Sequence, residues 1–67
     1  MYTRFEIFRD VSGLYRWRLV ASNNEIVAVS ESYHSKQAAI NTAKRIRLLS
    51  QTAKMVDRTL PVSQFIA

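Results

Sequence analysis

Apolar Phe5, Ile7 and Phe8 are spread among charged residues from Thr3 to Asp10, and two short breaks separate this stretch from Tyr15–Ala21 and then from the apolar run Ile26–Val29. A period of two places Phe5, Ile7 and Arg9 on one face of a strand and Arg4, Glu6, Phe8 and Asp10 on the other. Asp10-Val11-Ser12-Gly13 is the first break. The Asp10 carboxylate can accept from the backbone two residues on, and Gly13 supplies the left-handed residue of a type I turn with a bulge. Such a loop sets Arg9 opposite Tyr15, Ile7 opposite Trp17 and Phe5 opposite Leu19. On the far face Phe8 meets Arg16 and Glu6 meets Arg18. The second break, Ser22-Asn23-Asn24-Glu25, reads as a two-residue type I′ loop at Asn23-Asn24, since asparagine tolerates positive φ. It pairs Ala21 with Ile26, Leu19 with Ala28 and Trp17 with Ser30, and on the far face Val20 with Val27 and Arg18 with Val29. Both registers put Phe5, Ile7, Tyr15, Trp17, Leu19, Ala21, Ile26 and Ala28 on one face, which predicts a three-stranded antiparallel meander.

The period then changes. Ser35 is a candidate N-cap, and no glycine or proline occurs from Lys36 until Pro61. Ala39, Ala43, Ile46 and Leu49 or Ser50 recur at helical spacing, flanked by Ile40 and Ala53. Small alanines at the start of the stripe let the helix approach the sheet closely. Lys54 to Thr59, bounded by Pro61, is read as a short fourth strand. The fold class expected is α+β: an antiparallel meander, one helix on one face, and a C-terminal strand. The 67 residues make a single domain, with an ordered core at about 3–59 and a tail at 60–67 that covers an edge or stays disordered.

Size and composition narrow the possibilities. A chain this short buries roughly 60% of the surface it exposes when unfolded, so it needs a staple or a partner. It has no cysteine, which removes disulfides and thiolate metal sites and is compatible with a cytoplasmic setting. Ten Lys/Arg against five Asp/Glu give a formal charge of +5, an attraction for polyanions that is weak evidence by itself. No apolar run approaches the ~18 residues of a membrane span, so a membrane partner is not expected.

Phe5-x-Ile7-Phe8-x-Asp10-x-Ser12-Gly13-x-Tyr15-Arg16-Trp17-Arg18-Leu19-x-Ala21-x-Asn23, continuing through Glu25-Ile26-x-Ala28-x-Ser30-Glu31-x-Tyr33-x-Ser35-Lys36-x-x-Ala39, resembles the YegP-like family of small uncharacterised prokaryotic proteins. A trace returns at Ala53 and Asp57. The family usually has Asn-Gly in the second turn, where this chain has Asn23-Asn24. The resemblance implies a β3-α-β unit, two of which build one sheet with helices on one face by swapping their last strands. One unit per chain then implies a strand-swapped homodimer, in which exchange of Lys54–Thr59 enlarges a core too small for one chain. No activity and no site residue come across with the resemblance.

Candidate contacts fall into three groups. Arg16 and Arg18 point away from the helix and could hold phosphates beside Phe8; alternatively Glu6 pairs with Arg18 and Phe8 lies under Arg16, which needs no ligand. Phe8, Val20, Val27 and Val29 share that outer face as an apolar patch for a partner protein. Lys44, Arg45 and Arg47 form a basic cluster on the helix, either a nucleic-acid contact or a solvated face placed favourably for the helix dipole. His34 reads as a loop residue, Tyr33 as packing at the start of the helix, and Glu31 as a bond to loop backbone or an arginine. The sequence has no glycine-rich phosphate loop, carboxylate pair or metal-ligand cluster, so no catalytic residue, cofactor or metal is expected. The functional expectation is a non-enzymatic dimeric protein-interaction module, with weak nucleic-acid binding as the alternative.

Overall fold

Strands β1 (Arg4–Arg9), β2 (Tyr15–Val20) and β3 (Ile26–Val29) form an antiparallel sheet in the order β1-β2-β3. The structure is a computed structural model that describes residues 2–59 and the strand at 64–65. All six β1–β2 pairs, from Arg4 with Val20 to Arg9 with Tyr15, have the register that the first turn dictates. Gly13 N–H donates to the Asp10 carbonyl at 3.0 Å, Asp10 N–H donates to the Leu14 carbonyl at 2.8 Å, and Gly13 has φ +82°.

The second turn repeats this geometry and corrects the expected type I′ loop. Asn24 N–H donates to the Ala21 carbonyl and Ala21 N–H to the Glu25 carbonyl, both at 2.8 Å. Asn24 has φ +68°, and no other described non-glycine residue has positive φ. The loop is therefore Ser22-Asn23-Asn24, which asks one asparagine rather than two to adopt the left-handed region. Asn23 instead turns its Oδ1 to accept from Glu25 N–H at 3.1 Å. Val20 consequently faces Ile26 rather than Val27. A register shift between Leu19 and Val20 absorbs Val27 as a bulge, so Leu19 still faces Ala28 and Arg18 faces Val29. The loop gains a residue, the ladder takes it up, and most of the sheet is unchanged.

Helix α1 (Lys36–Leu49) starts where expected, with Ser35 Oγ accepting from Ala38 N–H at 3.1 Å. It packs on β2 and β1 and does not reach β3. Ala39 is 0% exposed, Ala43 6% and Trp17 7%, so the two alanines and the indole are buried in the core. Phe5 stacks edge-on against Trp17 with ring centroids 5.4 Å apart. The buried Trp17 Nε1–H finds no acceptor among the described residues, a deficit of about 1–3 kcal/mol for an orphaned donor.

Because α1 covers two strands rather than three, several expected core residues lie outside the core. Ile26 is half-exposed and Ala28 exposed; Ile46 and Leu49 on the helix are exposed as well. Val20 moves the other way and is buried.

The expected fourth strand is shorter and pairs elsewhere. β4 (Val56–Asp57) joins β5 (Gln64–Phe65) in an antiparallel pair, Val56 with Phe65 and Asp57 with Gln64. Among the described residues this pair makes no contact with the three-stranded sheet. The strand at 64–65 falls within the expected tail; the rest of 60–67 lies outside the described residues. Among the described residues no helix is long and apolar enough to cross a membrane.

Candidate interaction surfaces

The outer face of the sheet carries a chain of ion pairs. Arg4 Nε and Arg18 Nε each donate to one Glu6 carboxylate oxygen at 2.8 Å. Those two bonds, Arg18's first, hold the Glu6 carboxyl below its ordinary value. Arg18 also lies over the Phe8 ring at 4.8 Å, the position expected of Arg16. Arg16 is drawn instead toward the first turn, where its Nε donates to Ser32 Oγ at 3.0 Å and lies 3.2 Å from Asp10 Oδ2.

Asp10 is the hub of that corner. Its Oδ1 accepts from Ser12 Oγ, Ser12 N–H and Leu14 N–H, and its Oδ2 from Ser32 Oγ. These bonds, the Ser12 hydroxyl's foremost, depress its carboxyl. The corner thereby ties the first turn to the chain leading into α1. Tyr33 completes it by exchanging backbone hydrogen bonds with Tyr15 at 2.7 and 2.8 Å. Glu31 is exposed, and its carboxylate makes no hydrogen bond among the described residues, contrary to expectation; its carbonyl accepts from Ser30 Oγ.

The expected apolar patch is thus broken up. Val20, flanked by Arg4 and Ile26 across the ladder, is only 3% exposed and cannot meet a partner. Phe8 is half-buried beneath Arg18. Val27 and Val29 remain open at 56% and 51%, joined by Ile26 at 51%. What survives is an apolar edge along β3, because among the described residues no strand pairs beyond it and the helix stops short of it.

The basic residues divide likewise. Arg16 and Arg18 have carboxylate partners, whereas Lys44, Arg45 and Arg47 are exposed and make no ion pair among the described residues. α1 holds four cations and no acid. Two of those cations flank a feature that sequence reasoning missed. A groove of about 190 Å³ runs between α1 and β1, lined by Phe5, Ile7, Ile40, Ala43, Lys44 and Arg47. A hollow of about 260 Å³ adjoins it at Lys44, Arg47 and Leu48. The signal was present in the sequence: Phe5 and Ile7 lie on the helix-facing side of an edge strand, and Ile40 flanks the buried stripe. His34 is exposed, and no group of three or more acids, histidines or cysteines able to hold a metal occurs among the described residues.

Comparison with known proteins agrees with this architecture. A family model described as a domain of unknown function, DUF1508, matches residues 10–57. A UPF0339 protein of Agrobacterium fabrum is 41% identical over 56 residues, covering 84% of this chain and 90% of that one. A UPF0339 protein of Neisseria meningitidis serogroup B is 50% identical over 48 residues, covering 72% and 80%. A protein from Haloferax volcanii, solved by NMR, superposes with a TM-score of 0.75 at 35% identity, over 84% of this chain and 95% of that one.

Proposed function

This chain belongs to the DUF1508 family of small YegP-like proteins, and from that premise we propose that it is a non-enzymatic protein-interaction module that first assembles with a second copy of itself. The observation that carries the reading is the detachment of β4 and β5 from the main sheet. Among the described residues both edges of that sheet are left open, one at β1 and one at β3. The radius of gyration, 14.6 Å, exceeds the ~11 Å of a compact chain of this length. Among the described residues, Trp17, Val20, Ala39 and Ala43 alone form the buried apolar core. A core this small is short of stability for a free-standing unit, and exchanging C-terminal strands between two copies would extend the sheet and enlarge it. The β3 edge, with Ile26, Val27 and Val29 open, then serves another protein by strand addition. A cytoplasmic setting accords with the cysteine-free composition.

A second reading, weak nucleic-acid binding, is favoured by one observation: Lys44, Arg45 and Arg47 are exposed and unpaired among the described residues. Arg16 and Arg18 contribute less to it, since each is engaged by a carboxylate, Arg16 by Asp10 and Arg18 by the Glu6 it shares with Arg4. A single sample series separates the readings. The solution mass of the full chain is measured across concentration, and labelled single- and double-stranded DNA and RNA are titrated at low and physiological salt. The interaction module predicts twice the chain mass and no nucleic-acid binding at either salt. A monomer at every concentration removes the module. Binding that weakens steeply with salt establishes the second reading, because released counterions drive it.

A further inference from the structure

All four β3 residues, Ile26 to Val29, are exposed, and the strand carries no charge. Among the described residues no strand pairs beyond it, so its outward N–H and C=O groups face an open edge. The chain's five acids are not spread evenly about that edge. Glu6 and Asp10 are engaged by arginines, and Asp57 lies on β4, which makes no contact with the sheet. The other two, Glu25 and Glu31, bracket β3, one in the turn before it and one in the loop after it. Both are exposed and make no ion pair among the described residues. The Glu25 carboxylate accepts from Asn23 Nδ2 at 3.5 Å, and the Glu31 carboxylate from no described group. Six positions separate the two acids, about 20 Å along an extended chain.

The local charge therefore opposes the charge of the whole. The chain is formally +5, but the cations of α1 belong to a helix that makes no contact with β3. Arg18 faces Val29 across the ladder and is held by Glu6. Exposed charges are screened over about 8 Å at physiological salt, so the two glutamates set the potential that a docking strand meets.

We propose that the β3 edge takes an extended segment of another protein, a short apolar stretch with a lysine or arginine at each end. The assignment rests on the strand-addition reading above and names the chemistry of the partner. Main-chain bonds to β3 supply affinity, and apolar side chains of the segment pack beside Ile26, Val27 and Val29. The two cations meet Glu25 and Glu31 and fix the register, because a slip of the segment breaks both ion pairs at once. A second copy is the poorer occupant. Pairing two β3 strands about a two-fold brings Glu25 of each copy to the end of the other that carries Glu31, and like charges face each other twice. The β1 strand of another copy does have arginines at its ends, but Arg4 is bound to Glu6, and Arg9 lies over Tyr15 and donates to the Gly13 carbonyl.

Peptide titrations into the isotope-labelled full chain, read by amide NMR shifts, test this. The first probe is Lys-Val-Thr-Val-Thr-Val-Lys. The second has glutamate in place of both lysines. The third is the lysine peptide N-methylated at alternate residues on its pairing edge, which keeps its charge and side chains but removes the strand donors. The lysine peptide should shift the amides of Ile26–Val29 and bind at least about tenfold more tightly than the glutamate peptide. The N-methylated peptide should not bind. Glu25→Lys combined with Glu31→Lys should reverse the preference between the first two. That double variant keeps the second turn, where Glu25 acts through its backbone, accepting from Ala21 N–H and donating to Asn23 Oδ1. Equal binding of the lysine and glutamate peptides at β3 would overturn the charge assignment and leave strand addition standing. No shift at Ile26–Val29 with any peptide, or equal binding of the N-methylated one, would overturn strand addition at this edge and the proposal with it. A change in the chain's own solution mass caused by the double substitution would mean that the edge joins copies of this chain, and the proposal would be wrong.

Discussion

Glu6 receives a guanidinium from either side, Arg18 across the ladder and Arg4 on its own strand, and its carboxyl ionises more readily in the folded chain than in the unfolded one. Asp10 behaves alike through the Ser12 hydroxyl and backbone donors, and Asp57 through the Thr59 hydroxyl and N–H. A carboxyl depressed by folding contributes stability that is present above its unfolded value and is lost as pH falls through its folded value. Stability should therefore hold at neutral pH, begin to fall near 4.5, the ordinary value for Glu6, and fall further below 3.8, the ordinary value for Asp10 and Asp57. Thermal melts across this range check it. Glu6→Gln should lose the first part of the decline and keep the second. A melting temperature that stays constant down to pH 3.8 would show that the Glu6 carboxylate contributes nothing.

At the level of the element, the second turn decides how β2 meets β3. Glycine enters the left-handed region without the penalty of a β-carbon, so Asn24→Gly should stabilise the chain by about 0.5–1 kcal/mol, less the exposed bond from Arg4 to Asn24 Oδ1. Asn23→Gly should destabilise it, since that position has no positive φ and gives up the Oδ1 acceptor for Glu25 N–H. A type I′ loop would make both substitutions favourable. Denaturant unfolding of the two variants distinguishes the loops by the sign of one number. The family's usual Asn-Gly at this turn places glycine at the position where Asn24 has positive φ.

For the whole molecule, the question is how so few buried side chains sustain a fold. The core is an indole, a valine and two alanines, and the indole keeps an unpaired donor among the described residues. Under the exchange reading, the segment after α1 belongs energetically to the neighbouring copy. Removing everything after Ala53 should abolish dimerisation and cooperative unfolding together, read by solution mass and by circular dichroism on heating. A truncated chain that stays folded and melts cooperatively would mean the three strands and α1 suffice, and strand exchange would be wrong.

Local pairings follow from neighbouring residues alone. Asp10 and Gly13 set the β1–β2 register, and Ser35 with the Ala39–Ala43 stripe set the start and the buried side of α1, because hydrogen-bond chemistry and side-chain period act over a few neighbouring residues. Even the second turn, misread by one residue, left Leu19 opposite Ala28, since a bulge cancels the error. Tertiary structure alone decided how far the helix reaches across the sheet. That choice exposed Ile26, Ala28 and Leu49 and opened the groove beside β1. It also decided which carboxylate each arginine meets, and that β4 leaves the sheet. These outcomes depend on the angle and offset at which distant segments pack, and no period within one element encodes them.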